Sequence, residues 1–93
     1  MVVAVLTASF RLPQASTLKD KRAVVKSMVQ RCAQRFAVSA AEVGWLDDPR
    51  RALVAVAVVS GEARHADQVL ASALAFMERS YPVDLIDSAV EHR

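Results

Sequence analysis

The sequence has few of the residues that small metal proteins and phosphate-loop proteins depend on. Its 93 residues include one cysteine, two glycines and two histidines, and asparagine is absent. The single thiol, Cys32, excludes an internal disulfide and a cysteine-rich metal site. Two glycines are too few for a glycine-rich loop around a phosphate. We therefore expect a protein without a bound metal or cofactor.

Catalytic patterns are also missing around the two histidines, His65 and His92. Their acidic neighbours in the sequence are Asp67 and Glu91, which does not make a metal-ligand pattern. No serine lies in a nucleophile elbow. A Ser-His-Asp arrangement assembled by the fold stays open, but no residue is predicted to be catalytic. The sequence favours a non-enzymatic protein.

Long hydrophobic runs are absent as well, since none approaches the ~18 apolar residues that a membrane helix needs. The apolar N-terminus has no basic leader and no obvious cleavage site, so we expect no signal peptide. These features predict a cytoplasmic protein that makes no contact with a membrane.

Aliphatic residues make up most of what is present. Hydrophobic residues account for 54% of the chain and aromatic residues for only 5%. The length predicts one domain over residues 1–93, with a core built from Val, Leu and Ala. Residues that alternate in polarity predict strands, and apolar residues at spacings of three and four predict helices. The predicted elements are a strand over 2–12, a helix from the cap Thr17 to about 35, a strand over 37–46, a turn over 47–50, a strand over 52–59, a helix capped by Ser60 over about 62–80, and a strand over 83–90.

This order, βαββαβ, predicts an α+β ferredoxin-like sandwich. In that fold a four-stranded antiparallel sheet has the order 4-1-3-2, and both helices cover one face. The first and third strands must then be central. They are the two most apolar strands of the sequence, which agrees with this prediction.

The sheet face without helices is predicted to carry Val3, Val5 and part of the third strand. Such an apolar face favours coverage by a second copy or by a partner protein. Trp45 is either an anchor for a partner or a side chain that packs onto the sheet.

Positive charge is concentrated in the first third of the chain. Residues 1–35 hold seven basic residues against one acidic residue, Asp20, whose position three residues after Thr17 indicates a capping box. Two interpretations stay open for the first helix, namely a surface that contacts RNA phosphates and an ordinary solvated face. The third strand has no aromatic residue, so stacking of bases on the sheet is not expected. The predicted RNA contacts are Arg11, Lys19, Lys21, Arg22 and Lys26.

Segment 16–22, Ser-Thr-Leu-Lys-Asp-Lys-Arg, resembles the SLKDKR signature of the YlxP-like family of small bacterial proteins. The likeness continues through 38–43, Val-Ser-Ala-Ala-Glu-Val, and through 51–60, and it covers essentially the whole chain. The resemblance implies a ferredoxin-like fold and genes associated with translation initiation and ribosome maturation. It implies no established activity. It also marks Leu18 as a core residue and Glu42 as the acid of the second strand.

Together these observations predict a non-enzymatic module that binds RNA or the ribosome through its basic first helix. The alternative is a protein-interaction or homodimerisation domain that acts on a translation or ribosome-maturation factor. Whether Glu42 pairs with the basic helix is left open by the sequence. Such a pair would make part of the basic set structural.

Overall fold

The computed structural model describes residues 1–93, and its elements follow the predicted order. The strand and helix boundaries agree with the sequence patterns to within a few residues. The elements are β1 (Val2–Arg11), α1 (Leu18–Phe36), β2 (Ser39–Gly44), β3 (Arg51–Ser60), α2 (Ala63–Ser80) and β4 (Asp84–His92).

The four strands form one antiparallel sheet with the order β2-β3-β1-β4. This is the predicted order counted from the other edge, and the prediction is confirmed. β1 and β3 pair along their whole length, from Val2 opposite Ser60 to Arg11 opposite Arg51. The two most apolar strands are central because only there are both flanks protected from water.

The core lies between one face of the sheet and the two helices. Alternate residues of β1 and β3 point into it, which follows from the two-residue period of a strand. The second sheet face carries no helix, and we call it the open face. The buried apolar residues from the central strands are Ala4, Leu6, Ala8, Phe10, Ala52, Val54 and Val56, and those from the helices are Val25, Met28, Cys32, Ala66, Leu70, Ala73 and Met77.

The second strand is shorter than the predicted segment 37–46 because both of its ends adopt left-handed backbone. Ala37 has φ 53° and closes α1, with its N–H donating to the Ala33 carbonyl. Trp45 has φ 52° and begins the turn into β3. A bulge precedes Gly44, where an added Cβ would lie only 2.7 Å from Leu53 Cδ2. Any other residue at this position would force the Leu53 side chain to move.

The helix starts differ from each other. Thr17 caps α1 as predicted, since its hydroxyl accepts from the Asp20 N–H at 3.1 Å. In a capping box the Asp20 carboxylate would accept from the N–H of the cap residue, Thr17. Here it accepts from the N–H of Ser16, one residue before the cap. Ser60, the predicted cap of α2, instead accepts from the Glu62 N–H, and Glu62 is the cap residue. Neither helix combines the length and hydropathy that crossing a bilayer requires.

Candidate nucleic-acid interface

Lys21 is the first of the predicted RNA contacts to be corrected. Its side chain is 0% exposed, on the buried side of α1, so it has no surface to offer a phosphate. The sequence prediction counted Lys21 among the RNA contacts because the residues around it are basic. Within a helix, however, residue 21 lies on the same side as Val25, Met28 and Cys32, which are all buried.

The Lys21 ammonium ties α1 to the β2–β3 connection. It donates to the carbonyl oxygens of Trp45 at 2.8 Å, Leu46 at 3.3 Å and Arg51 at 3.2 Å. Glu42 Oε2 lies 2.9 Å away, and the Glu42 side chain is 17% exposed. Four oxygen atoms thus surround an ammonium that has three protons, and the Lys21 charge is the one group that stabilises this buried carboxylate oxygen.

Arg11 is separated from the other predicted contacts by the sheet. It follows Phe10 and precedes Leu12, which both point into the core beneath the helices. The Arg11 side chain therefore points to the open face. Its neighbours on the adjacent strands are Arg51 and Asp84. The structure does not bring Arg11 together with the basic residues of α1, because those project from the far side of the helix layer.

Three of the predicted contacts remain together on the exposed side of α1, namely Lys19, Arg22 and Lys26. We call these three residues the basic stripe. The nearest carboxylate to any of them is that of Asp47, whose Oδ1 lies 3.8 Å from Arg22 Nη2 with both side chains well exposed. An exposed pair at this distance neutralises little charge. Arg22 and Lys26 also border a groove of about 500 Å³ between α1 and β2.

The position of the basic stripe is not explained by helix stability. The N-terminal end of a helix carries a partial positive charge, so cations there are disfavoured and acids are favoured. Lys19 nevertheless lies in the first turn of α1, and Arg22 lies just beyond it. Asp20 is the single acid of this turn and is used in the cap.

A second group of cations lies where the two helices meet, and the sequence prediction missed it. Arg31 and Arg35 of α1 and Arg79 of α2 gather around Phe36 and Phe76. We call these five residues the arginine–aromatic cluster. Both phenylalanines fall at the three- and four-residue apolar spacings from which the two helices are predicted. The convergence of the arginines on them could not be predicted, since it depends on how one helix crosses the other.

Trp45 lies at the start of the β2–β3 turn and contacts Arg51, and its role as an anchor for a partner stays a prediction. Its ring is partly exposed, and the Arg51 guanidinium lies 4.6 Å from the ring centroid. Arg51 Nε in turn donates to Asp48 Oδ2 at 2.8 Å. The Arg51 pairing and a hydrogen bond from the Arg50 N–H hold the pKa of Asp48 below its usual range, with the backbone bond the larger cause. This network fixes the β2–β3 turn.

Groups that could support catalysis are scattered. His92 Nε2 lies 2.6 Å from Asp67 Oδ1, and both side chains are about half exposed. No cluster of three or more His, Cys, Asp or Glu side chains could hold a metal ion. Cys32 is fully buried, and burial raises the pKa of its thiol, which favours the unreactive protonated form.

Comparisons with known proteins agree with the geometry. Among solved structures, a de novo designed protein with ferredoxin fold superimposes with a TM-score of 0.55 at 10% identity, covering 100% of this chain and 83% of the designed one. A Bacillus subtilis (strain 168) protein described as "Uncharacterized protein YlxP" is 37% identical over 68 residues, which is 73% of each chain. Residues 3–90 match the family described as "Protein of unknown function (DUF503)". The resemblance seen in the sequence is therefore confirmed, and the chain belongs to the DUF503 family.

Proposed function

We propose that this protein is a non-enzymatic module that binds the sugar-phosphate backbone of RNA through the basic stripe. One observation carries the proposal. Lys19, Arg22 and Lys26 are three exposed cations on one side of α1 whose single ion pair is the exposed Arg22–Asp47 contact at 3.8 Å, and Lys19 lies in the first turn, where the helix dipole opposes positive charge. A bound phosphate would offset that unfavourable placement.

The spacing of the stripe suits a polyanion. Lys19 and Lys26 are seven residues apart, roughly 10 Å along the helix axis, so the stripe can contact more than one phosphate of a strand. Contacts of this kind fix position and carry no sequence information. RNA would then be selected by shape, as in double-stranded or structured RNA. The translation-linked genes implied by the family resemblance support ribosomal RNA as the partner, in the cytoplasm.

The test compares two variants of equal net charge. In the first, Lys19, Arg22 and Lys26 are all changed to Gln. In the control, three exposed arginines elsewhere are changed to Gln, namely Arg50, Arg64 and Arg93. Affinity for small-subunit rRNA fragments is measured at low salt by fluorescence anisotropy.

We expect the stripe variant to lose at least about ten-fold in affinity, and the control variant to change by less than about three-fold. Equal losses in both variants would show that only net charge matters. No binding of wild-type protein to rRNA or to ribosomal subunits at low salt would also overturn the proposal.

A second candidate is homodimerisation through the open face, which the composition of that face favours. Its centre is formed by Val5 and Thr7 of β1 opposite Ala57 and Ala55 of β3, and Val59 at one end is 67% exposed. Two strands of ten residues, one of nine and one of six, spaced ~4.8 Å apart, give roughly 550 Å² per copy, which is just below the size of a standard interface. The apolar residues that alternate with the core on these strands are Val3, Val5, Leu53, Ala55, Ala57 and Val59, and the polar residues Thr7 and Ser9 lie on the same face of β1.

Sedimentation velocity tests this candidate with two variants, each of which changes an exposed valine on one side of the sheet. Val59→Glu places a charge on the open face, whereas Val90→Glu places one on β4 opposite Leu6, on the helix side. A dimer that is lost in the Val59 variant and kept in the Val90 variant supports the candidate. A wild-type monomer at tens of micromolar refutes it.

A further inference from the structure

The two rings of the arginine–aromatic cluster and the adjacent ring of Tyr81 contact one another edge to face. Phe76 lies at the centre, with the Phe36 ring centroid 5.7 Å away on one side and the Tyr81 centroid 6.1 Å away on the other. The interplanar angles of 69° and 76° are those of T-shaped pairs. Such pairs prefer a fixed geometry, so the rings form a rigid base between the helices.

The rings hold two guanidinium groups in place. Arg35 lies 5.2 Å from the Phe76 centroid and 5.7 Å from that of Phe36. Arg31 lies 5.7 Å from the Phe76 centroid, and it donates to the Tyr81 hydroxyl at 3.2 Å. Contacts between a cation and an aromatic face restrict a side chain that is otherwise flexible. Most of the N–H groups of these arginines are left without a protein acceptor.

No acidic side chain balances this charge. Arg31, Arg35 and Arg79 make no salt bridge, while other arginines of the chain do, such as Arg51 with Asp48 and Arg93 with Glu91. Two adjacent hollows, of about 280 and 390 Å³, share Arg35 and Phe76, and none of their lining residues is acidic. Three guanidinium groups without an ion pair thus border two adjacent shallow hollows, with Arg31 and Arg35 at the first and Arg35 and Arg79 at the second.

Helix dipoles explain only part of this arrangement. Arg35 and Arg79 lie in the last turns of their helices, where a cation is stabilising. Arg31 lies one turn earlier in α1, outside the region where the dipole has much effect. Its orientation comes from Tyr81 and Phe76, which aim it at the same hollow as Arg35.

From this geometry we infer that the arginine–aromatic cluster binds a nucleotide unit, with the phosphate on the guanidinium groups and the base stacked beside Phe76. A planar guanidinium donates two parallel hydrogen bonds to phosphate oxygens. A base stacks on aromatic rings and on arginine planes alike. If the nucleotide belongs to an RNA strand, the inference rests on the proposed function. It adds a site for base stacking, which the open face of the sheet lacks.

The test follows the arginine Nε–H and phenylalanine ring resonances by NMR, with three probes added separately. The probes are inorganic phosphate, adenosine monophosphate and a six-nucleotide oligoadenylate. We expect the monophosphate to shift the signals of Arg31, Arg35 and Phe76, and phosphate to shift the arginine signals alone. Tighter binding of the oligonucleotide than of the monophosphate assigns the site to RNA, and the reverse assigns it to a free nucleotide.

Two substitutions of Arg35 separate binding from stability. Arg35→Gln removes the positive charge. Arg35→Lys keeps the charge, which stabilises the C-terminal end of α1, but removes the planar guanidinium and its two parallel N–H donors. Each is expected to weaken monophosphate binding about ten-fold, which corresponds to the loss of a charge-assisted hydrogen bond. Arg64→Gln, an exposed arginine in the first turn of α2, is the matched control and should bind as wild type does.

The inference is overturned if the monophosphate leaves the cluster signals unchanged, or if it shifts Arg64 as strongly. It is also overturned if Arg35→Lys binds as tightly as wild type. The basic-stripe variant keeps the cluster intact and should still bind the monophosphate. One pair of results separates the two proposals. If the basic-stripe variant loses rRNA binding, and none of the three probes shifts the cluster signals of the wild-type protein, the proposed function stands and this inference fails.

Discussion

Lys21 illustrates what burial does to a charged residue. Removing an ammonium and a carboxylate from water costs several kcal/mol per ion, so a buried pair persists only with good hydrogen bonds around it. Here the ammonium satisfies three carbonyls at one end of the sheet and faces Glu42. The basic segment that the sequence suggested as a binding surface is therefore partly a structural device. It fixes the β2–β3 connection against α1.

We predict that Lys21→Met destabilises the fold by about 3–5 kcal/mol, because it leaves the Glu42 carboxylate and three carbonyls without their partner. Adding Glu42→Leu to the same chain should recover part of that loss, since the remaining charge is then removed. Urea unfolding followed by circular dichroism measures both. Lys19→Met, two residues earlier and exposed, is the control and should change stability by less than about 0.5 kcal/mol. Equal effects at positions 19 and 21 would contradict this role.

Cys32 gives the protein a defined pH dependence in the alkaline range. Burial raises the pKa of its thiol, so the folded state keeps a proton that the unfolded state releases above about pH 8.5. Stability from this group is thus complete below that pH and is lost as the pH rises through the higher, folded-state pKa. The difference in unfolding free energy between wild type and Cys32→Ala should be constant below about pH 8 and should shrink above about pH 9. A difference that stays constant across the range would show that the thiol is not protected.

At the scale of the element, α1 ends at Ala37, and alanine rarely adopts the backbone conformation that is found there. Ala37 adopts φ 53° and ψ 47°, the left-handed region that usually closes helices with glycine. A Cβ in this region is costly, since it approaches the carbonyl oxygen that follows. The sequence prediction placed Ala37 in the next strand because alanine gives no signal of a helix end.

We therefore predict that Ala37→Gly stabilises the protein by about 0.5–1 kcal/mol, after the greater flexibility of glycine in the unfolded chain is included. The thermal midpoint measures it. The same substitution at Ala41, an exposed residue of β2 with extended backbone, should destabilise instead. A decrease in stability at position 37 would mean that the left-handed conformation is not the one adopted in solution.

At the scale of the whole molecule, the two sides of the sheet carry different chemistry. The helix side presents the basic stripe and the arginine–aromatic cluster. The open face presents mainly apolar residues, with Thr7 and Ser9 among them, between Arg11 at one end and Val59 at the other. RNA contact on one side and self-association on the other would not compete for the same surface. The two proposals for function are therefore compatible in a single particle.

Salt dependence measures how much of the helix side takes part in RNA binding. Three phosphate contacts by the basic stripe give a slope of roughly −2 for the logarithm of the affinity against the logarithm of salt concentration on a single strand. Contacts from the three arginines of the cluster as well would double it to about −4. We predict the steeper slope for wild type and the shallower one for Arg31→Gln with Arg35→Gln and Arg79→Gln. A slope near zero would exclude phosphate contacts.

Much of the fold follows from local patterns in the sequence. The two-residue alternation in Val2–Arg11, the apolar run in Arg51–Ser60 and the Thr17 cap each act within a few residues, so they determine strands, helix and topology without knowledge of the rest. The candidate site follows less well. Lys19, Arg22 and Lys26 were predicted correctly as an exposed stripe, whereas Lys21 and Arg11 depend on which side of an element faces its neighbours.

The sequence by itself determined that one domain with a βαββαβ order would form and that its first helix would be basic. Only the tertiary structure decided which of those basic residues meet solvent. Burial of Lys21 needs the Trp45, Leu46 and Arg51 carbonyls, which are 24 to 30 residues away along the chain. The arginine–aromatic cluster needs two helices to cross at Phe76. Periodicity records local geometry, but contacts between distant segments arise only when the sheet brings them together.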